Sequence, residues 1–350
     1  MKTWVSIAFA ALIGAGCGPG GSALSQERSP RPARAPSASS GTASTPTIPP
    51  TVKPPEAQAQ AAPGPTAAPG ESSNASPPPV VSALPPPKFN ALHARTAKPG
   101  DGEWTPMPHG AAAGEPPVLY QTVAHPHPIK KYVYVTIVAI DRSRVDLHLV
   151  AGTLEPESKT VPAERRPGLI PQAHQDDLIA VFNGGFMAKH GRYGMMIDGD
   201  IFLPPRDELC SVALLRDRSV RIQTWKDLRA SERDIVAFRQ TPPCILVGGV
   251  PHPELETDLL FYGLGEWVTV KALADSMRAA GAVNAAQLDI NWSYTRFLFF
   301  GRPAPGDPLQ VTETLIPKIK HSKQGYVTNP SERDFFYLRR IRPISPARNP

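Results

Sequence analysis

One segment of the sequence places a polar side chain and two glycines directly after an apolar run. Asn183, Gly184 and Gly185 follow residues 178–182, which are apolar throughout. Consecutive glycines let the backbone take positive φ and let a ligand approach closely, and an Asn amide can hydrogen-bond a hydroxyl or a phosphate oxygen. These three residues are therefore candidates for ligand binding. A turn that needs glycine for its geometry alone is the alternative interpretation.

A second segment places a carboxylate and further polar side chains directly after a predicted strand. Asp289 follows residues 283–288, and Asn291 and Ser293 occupy alternating positions beyond it. An Asp at the end of a strand can act as a general acid or base, or can stabilise a cation-like sugar transition state. Trp292 on the same segment could stack on a sugar ring. The alternative is a capping Asp beside packed aromatic residues.

Taken together, the segments resemble the phosphodiester glycosidase family. The resemblance consists of the run Asn183-Gly184-Gly185-Phe186, the turn Asp198-Gly199, the stretch 240–249 that begins with Gln240, and the helix before Leu288-Asp289, in that order. The family includes the enzyme that uncovers mannose 6-phosphate by removing N-acetylglucosamine. The resemblance covers about residues 130 to 300.

This resemblance implies a domain that hydrolyses a sugar–phosphate diester or a related glycosidic bond, with a carbohydrate or glycosyl phosphodiester as its partner. It implies that Asp289 has the acid/base or cation-stabilising role. It also implies that Asn183 and the backbone of the two following glycines bind sugar or phosphate, while Asn291 and Ser293 orient the substrate.

The sequence departs from the family at two places. Ile290, Asn291 and Trp292 stand where the family has three glycines, and their bulk would fill space that glycines leave open for a substrate. The family also carries an Arg on a strand before the helix, whereas residues 254–265 contain none. Because a guanidinium matches phosphate oxygens well, its loss weakens phosphodiester binding.

Other residues could compensate for the missing cation. Arg296, Lys189 and Arg192 are candidate replacements, and His190 lies close enough to the glycines in sequence to be a candidate ligand contact. The departures leave a second function open, namely a catalytically inactive glycan-binding protein of the cell envelope with the same fold.

The elements that must position these residues are mostly strands. We predict an α+β fold with few helices, built on a curved, mostly antiparallel sheet, as a single domain over 101–350. Residues 132–140 and 145–150 are predicted to pair as a hairpin, and 195–203 and 212–225 to form two more. Residues 244–247 are predicted to form a short strand. Helical spacing of apolar residues after Thr269, ended by Gly281, predicts one clear helix.

The N-terminus has the pattern of an export signal. Lys2 precedes an apolar run over 4–13, and small residues lead to Cys17. Residues 1–17 therefore resemble a lipoprotein signal peptide, with Cys17 acylated; an ordinary signal peptide cut near Ala15 is the alternative. Residues 18–100 are rich in Pro, Ala and Ser and are predicted to form a disordered tether. We expect a lipid-anchored location at the outer membrane or cell surface.

Composition excludes some classes of protein. The net charge is +6, and Lys and Arg alternate with Asp and Glu, which argues against a nucleic-acid partner. No nucleotide-binding, serine-hydrolase or zinc-protease motif occurs, so no cofactor and no metal are predicted. Cys210 and Cys244 either form a disulfide in an oxidising compartment or remain free thiols. His125 and His127 flank prolines and are predicted to lie in a solvated loop.

Overall fold

The computed structural model describes residues 4–11 (backbone only), 84–249 and 259–342. These residues belong to one compact unit. Cys17 and the tether up to residue 83 lie outside the described residues, so the acylation and the anchor stay predictions. Of the predicted signal peptide, the structure describes only Trp4–Ala11, as a strand. Residues 84–100 make contacts with the domain: the Phe89 N–H donates to the Gly102 carbonyl, and Trp104 Nε1 donates to the Pro87 carbonyl.

Strands make up most of the described part, as the sequence predicts. In chain order they are β1 (Trp4–Ala11), β2 (Thr105–Pro106), β3 (Leu119–Ala124), β4 (Tyr134–Asp141), β5 (Val145–Val150), β6 (Leu178–Asn183), β7 (Met195–Ile197), β8 (Asp200–Leu203), β9 (Cys210–Leu215), β10 (Val220–Thr224), β11 (Ile235–Thr241), β12 (Leu259–Glu266), β13 (Asn284–Gln287), β14 (Phe297–Gly301), β15 (Gln310–Thr314) and β16 (Phe335–Arg340).

Helices are few and short among the described residues. The α-helices are α1 (Gln172–Gln175), α2 (Trp225–Leu228) and α3 (Val270–Ala279), and the 3-10 helices are η1 (Ala163–Arg165), η2 (Ala188–His190) and η3 (Arg229–Asp234). None of these helices has the length and apolar content that a membrane crossing requires. The predicted α+β class is confirmed.

The described strands form three antiparallel sheets. The first has the order β13-β1-β12-β4-β3-β2, the second β10-β9-β11-β7-β8, and the third β15-β14-β6-β16-β5. The predicted hairpins β7–β8 and β9–β10 are present. In the β7–β8 turn, Asp198 and Gly199 both have positive φ, which the tight turn requires.

The predicted hairpin between β4 and β5 is wrong. β4 lies inside the first sheet between β3 and β12, whereas β5 pairs with β16 at the edge of the third sheet. The turn between them carries the chain from one sheet to the other. Because β4 is buried from Val135 onward, the backbone N–H and C=O groups at both of its edges need hydrogen-bond partners, which β3 and β12 supply.

A common core joins the sheets. Phe182 of β6 stacks on Phe297 of β14 and Phe336 of β16, with ring centroids 5.6 and 5.4 Å apart, and Tyr262 of β12 lies 4.8 Å from Phe182. All four side chains are buried. Because Phe182 directly precedes Asn183, this aromatic packing fixes the end of β6, where the candidate residues begin.

Helix α3 begins and ends as the sequence predicts. The Thr269 hydroxyl accepts a hydrogen bond from the Ala272 N–H at 3.2 Å and caps the first turn. Leu273 and Met277 are buried, and Gly281 has a φ of 99°, which ends the helix. The chain then enters β13, which leads directly to Asp289.

Cys210 and Cys244 form a disulfide with their Cα atoms 4.7 Å apart. Cys210 begins β9 of the second sheet. Beyond Cys244, the expected strand over 244–247 is reduced to a single bridge between Leu246 and Ala285, which lies on β13 of the first sheet. The disulfide holds the segment before β12 to the second sheet, and the Leu246–Ala285 bridge holds it to the first.

Candidate functional site

The two polar segments singled out in the sequence meet in the structure. The Asp289 N–H donates to the Gly184 carbonyl at 3.2 Å, and the Asn183 side-chain amide donates to the Asp289 carbonyl at 3.3 Å. The ends of β6 and β13 thus lie together although they are far apart in sequence. We call the following residues the Asp289 cluster: Asn183, Gly184, Gly185, Asp289, Asn291, Tyr294, Arg333 and the pair Arg239 and Asp334.

The Asn183 side chain hydrogen-bonds to main-chain groups of the Asp289 cluster. Its side chain is fully buried; Nδ2 also donates to the Gly184 carbonyl at 3.2 Å, and Oδ1 accepts from the Arg296 N–H at 3.1 Å. Each of these bonds goes to a main-chain group. Asn183 therefore positions the loop that carries Asp289, and its amide is engaged within the protein.

Positions 184 and 185 have no room for a side chain. A Cβ on Gly184 would lie 2.0 Å from Asp334 Oδ2, and one on Gly185 would lie 2.6 Å from Arg239 Cζ. Their N–H groups donate to Asp334, to its carbonyl at 3.0 Å and to its Oδ2 at 2.8 Å respectively. The space beside these glycines is therefore occupied by two side chains of the protein rather than left open for a ligand. Both N–H groups already have acceptors.

That pair is a buried salt bridge. Arg239 of β11 and Asp334, directly before β16, are both buried completely, and Arg239 Nε lies 2.8 Å from Asp334 Oδ2. Arg239 also donates to the carbonyls of Phe186 at 2.6 Å and Tyr193 at 2.9 Å. A buried ion pair is tolerated when its remaining donors and acceptors are hydrogen-bonded, as they are here. It fixes the backbone on both sides of the glycines.

Asp289 is paired with a cation that the sequence interpretation missed. The carboxylate is 2 % exposed; Oδ1 accepts from the Asn291 N–H at 2.9 Å, and Oδ2 accepts from Arg333 Nη2. Arg333 also donates to the Gly185 carbonyl at 3.2 Å, and its guanidinium carbon lies 4.0 Å from the centre of the Tyr294 ring. A cation is thus present at the cluster, brought there by the segment before β16.

One of the five donors of Arg333 is both buried and unpaired. Its Nε is buried and has no hydrogen-bond partner among the described residues. A guanidinium carries five N–H donors in a fixed fork, and a buried donor without a partner is unfavourable.

The loop after Asp289 closes on itself and exposes an aromatic ring. The Ser293 N–H and hydroxyl both donate to Asn291 Oδ1, at 3.1 and 2.9 Å. Trp292, between them, is 56 % exposed. Arg296 donates to the carbonyls of Tyr294 at 3.0 Å and Ser293 at 2.7 Å on its own loop, and its side chain also hydrogen-bonds to Tyr326.

Tyr294 joins the two ion pairs of the cluster. Its hydroxyl donates to the Asp334 carbonyl, and its ring lies against Arg333. Burial raises the pKa of Tyr294 well above its usual value, with the nearby groups of Tyr326 and Asp334 acting in the same direction. The phenol is therefore neutral at physiological pH and acts as a hydrogen-bond donor.

The structure does not bring His190 into the cluster by any hydrogen bond among the described residues. It is exposed at the end of η2, where its N–H donates to the Met187 carbonyl at 2.9 Å. Lys189 is exposed on the same short helix. Within the described ranges, no group of three or more His, Cys, Asp or Glu side chains is arranged to hold a metal ion.

Sequence reasoning missed Arg239, Arg333 and Asp334. A signal existed for the first, because Arg239 stands in the otherwise apolar start of β11 and a charge on a buried strand needs a partner. Arg333 and Asp334 precede an apolar strand in a segment beyond the family resemblance. Their role depends on the position of β16 beside β6, which local sequence does not encode.

Comparisons with known proteins give a distant likeness. No protein-family model matches the sequence, and no curated protein matches it. Among solved structures, the zebrafish N-acetylglucosamine-1-phosphodiester alpha-N-acetylglucosaminidase catalytic domain, auto-inhibited by its pro-peptide, is similar at 13 % identity and a TM-score of 0.40, over 67 % of this chain and 87 % of that one. A hypothetical protein from Synechocystis is similar at 11 % identity and a TM-score of 0.33, over 66 % of this chain and 65 % of that one.

Proposed function

We propose that this chain is an exported, membrane-tethered hydrolase that acts on a sugar–phosphate diester or a related glycosidic bond of a surface polysaccharide. The observation that carries the proposal is the pairing of the Asp289 carboxylate with Arg333, whose Nε–H has no partner among the described residues. A carboxylate and a guanidinium side by side supply the two charges that this reaction needs, one for the sugar and one for the phosphate.

Asp289 takes the role that the family resemblance assigns to it. Both of its oxygens accept hydrogen bonds, as a carboxylate does, from the Asn291 N–H and from Arg333. We therefore assign Asp289 to stabilising positive charge at the sugar carbon, or to accepting a proton from the attacking water, rather than to donating a proton.

Arg333 takes the role of the missing cation. In the family the Arg belongs to a strand before the helix, and here the guanidinium comes from the segment before β16. Its free Nε–H would bind an oxygen of the phosphodiester, and its contact with Tyr294 holds the fork in place. Arg296, a candidate replacement in the sequence, uses its guanidinium on the carbonyls of Ser293 and Tyr294 and on Tyr326.

The loop of Asn291, Trp292 and Ser293 would contact the sugar. An exposed Trp ring beside hydrogen-bonding side chains is the combination that sugar rings bind, since they have an apolar face and a polar rim. Gly184 and Gly185 then have a structural role, because their N–H groups are donated to Asp334. The predicted tether and acylated Cys17 would hold the domain at the cell envelope, near such polysaccharides.

The test is turnover of N-acetylglucosamine 1-phosphodiester and of a panel of aryl phosphoglycosides by the full chain. Asp289→Asn keeps the shape and removes the charge, and we expect kcat to fall by about a hundredfold or more. Arg333→Lys keeps the charge and loses the fork, and we expect KM for the phosphodiester to rise. Asp275→Asn is the matched control, because Asp275 pairs only with residues of α3 on the surface.

Thermal unfolding of each variant separates a loss of activity from a loss of fold. Turnover by folded Asp289→Asn at the rate of the unmodified chain would remove Asp289 from the mechanism and with it the proposal.

A second function is favoured by the hydrogen bonding of the two glycines. Because the N–H groups of Gly184 and Gly185 already donate to Asp334, they offer nothing to a phosphate. This is the arrangement expected of a glycan-binding protein of the envelope that retains the fold without catalysis. Saturable glycan binding by the full chain, with no turnover across the whole panel, would select this function.

A further inference from the structure

Strand β1 lies between two strands that are joined to each other by a helix. β12, α3 and β13 follow one another in the chain, and β12 and β13 both run antiparallel to β1, so they are parallel to each other. Neighbouring strands lie about 4.8 Å apart, which separates β12 from β13 by roughly 10 Å. We call the space between them, which is one strand wide, the β12–β13 slot.

The backbone of β1 pairs along both sides of the slot. Residues 7–11 are in register with residues 264–260 of β12, and residues 8–11 with residues 287–284 of β13. On the outer edge of β13 the structure shows a shorter contact, the single bridge between Leu246 and Ala285. β13 therefore depends on the strand in the slot for most of its sheet pairing.

Both walls of the slot are buried. β12 is buried over residues 259–265, and β13 is buried along its whole length. Phe261 and Ala285 belong to the core cluster beneath α3, whereas Tyr262 and Ala286 belong to the core on the opposite face of the sheet. Because buried backbone N–H and C=O groups need partners, an empty slot is unfavourable, and its occupant must be a strand that is apolar on both faces.

The segment that fills the slot has this chemistry. Residues 4–11 read WVSIAFAA, and Ser6 is the one polar residue among them. A nearly continuous apolar run is typical of a strand that is buried on both faces, and no proline removes a backbone donor from it. The same residues form the apolar part of the predicted signal peptide, which is removed from an exported protein. Removal of the signal peptide therefore empties the slot.

We propose that the β12–β13 slot of the exported chain is a strand-acceptor site for an extended, apolar, proline-free segment of a partner protein. The partner strand runs antiparallel to β12 and β13 and makes the backbone hydrogen bonds that β1 makes in the full chain, which is recognition by β-augmentation. The proposal rests on the proposed export, since loss of the signal peptide frees the site, and it is independent of hydrolysis. Because β13 leads directly to Asp289, the bound strand also fixes the segment that carries this carboxylate.

The test begins with the full chain, which carries a specific protease site inserted between Pro65 and Thr66 and is cut after folding. We expect the N-terminal fragment to stay with the domain in gel filtration, because β1 pairs with β12 and β13. Ala10→Pro removes a backbone N–H within β1, so its fragment should separate from the domain. Ala15→Pro, the same substitution beyond β1, is the matched control and should keep its fragment bound.

The domain that has lost its fragment then serves as the acceptor. A fluorescent peptide of residues 3–12 should bind to it saturably, with one peptide per domain. The same peptide with Ala10→Pro should bind at least about tenfold more weakly, since it lacks one backbone donor. If Ala10→Pro prevents the full chain from folding, the two peptides are compared as competitors that displace the fragment from the cut, unmodified chain, and the same difference is expected.

Four outcomes would overturn the proposal. Equal affinity of the two peptides would indicate apolar adhesion in place of strand pairing, and failure of the peptide to bind would indicate that β12 and β13 close directly on each other. A dimer of the emptied domain that excludes the peptide would assign the slot to a second copy of the chain. An exported chain whose mass still includes residues 4–11 would keep the slot filled by its own strand. None of these measurements requires turnover, so a failure of the proposed hydrolysis would be seen separately.

Discussion

His148 and His174 show how burial sets the protonation of single side chains. His148 on β5 stacks on Tyr337 of β16, with ring centroids 4.7 Å apart, and His174 Nδ1 lies 2.6 Å from the Tyr337 hydroxyl. Burial, and then the positive groups of His174, Arg339 and Arg142, lower the pKa of His148 from 6.5 to about 3. The folded protein therefore keeps this imidazole neutral at a pH where an unfolded chain would protonate it.

We predict that His148 makes the fold sensitive to mild acid. Below pH 6.5 the unfolded chain binds a proton that the folded chain refuses, so stability is complete above pH 6.5 and is lost progressively down to about 3. Each pH unit in this window costs about 1.4 kcal/mol. His148→Phe keeps the ring stacking and removes the titration. When the pH is lowered from about 7.5 to about 5, the unfolding free energy of this variant should therefore fall by roughly 2 kcal/mol less than that of the unmodified chain.

Urea unfolding at the two pH values measures this difference. An equal loss of unfolding free energy in His148→Phe and in the unmodified chain would contradict the prediction. It would mean that His148 titrates in the folded state as it does in the unfolded one.

The residues of the candidate site divide into those that sequence can identify and those that it cannot. Asp289 and Asn183 stand out because each is a polar residue at the end of a predicted strand, and the structure places them in contact. Arg333 gives no such signal, because it acquires its role only when β16 lies beside β6. Gly184 was assigned to ligand approach, whereas its space is taken by Asp334.

Among the elements, those defined by local chemistry could be predicted. α3 follows from apolar spacing between a capping Thr269 and a terminating Gly281, and the β7–β8 hairpin follows from Asp198-Gly199. The separation of β4 from β5 could not, because a short turn is compatible both with a hairpin and with a crossing between sheets. Only the partners, β12 and β16, decide between them, and these lie far along the chain.

We predict that the cap of α3 contributes measurably to stability. Thr269→Ala removes the acceptor of the Ala272 N–H and should lower the unfolding free energy by about 1 kcal/mol, while Thr269→Ser, which keeps a hydroxyl, should lower it much less. Denaturant unfolding of the two variants gives the comparison. Equal losses from the two substitutions would show that the methyl group of Thr269, rather than its hydroxyl, stabilises the helix.

At the level of the whole molecule, the disulfide reinforces the second sheet, where Thr241, three residues before Cys244, already pairs with Cys210. It joins Cys210 and Cys244 across 34 residues, and closing a loop of that length limits the unfolded chain. We predict that Cys244→Ala, which breaks the link, lowers the unfolding free energy by about 3–4 kcal/mol on the loop-entropy model.

The Cys210→Ala and Cys244→Ala double variant is the control, and it should lose a similar amount, because the bond is already absent in the single variant. The reduced unmodified chain should move toward both variants. If reduction left the unfolding temperature of the unmodified chain where it was, the cross-link would have no role in stability.

The position of β16 has a consequence for how the protein is made. β16 is the last strand of the described chain, yet it lies between β6 and β5 rather than at an edge of its sheet. During synthesis on the ribosome, β5 and β6 emerge long before the strand that separates them, so their edges stay open to wrong pairing. Arg239 emerges without Asp334, and Asp289 without Arg333. The candidate site is thus completed last, and a nascent chain released before Arg333 would carry every residue of β6 and β13 but neither Arg333 nor Asp334, the ion-pair partners of Asp289 and Arg239.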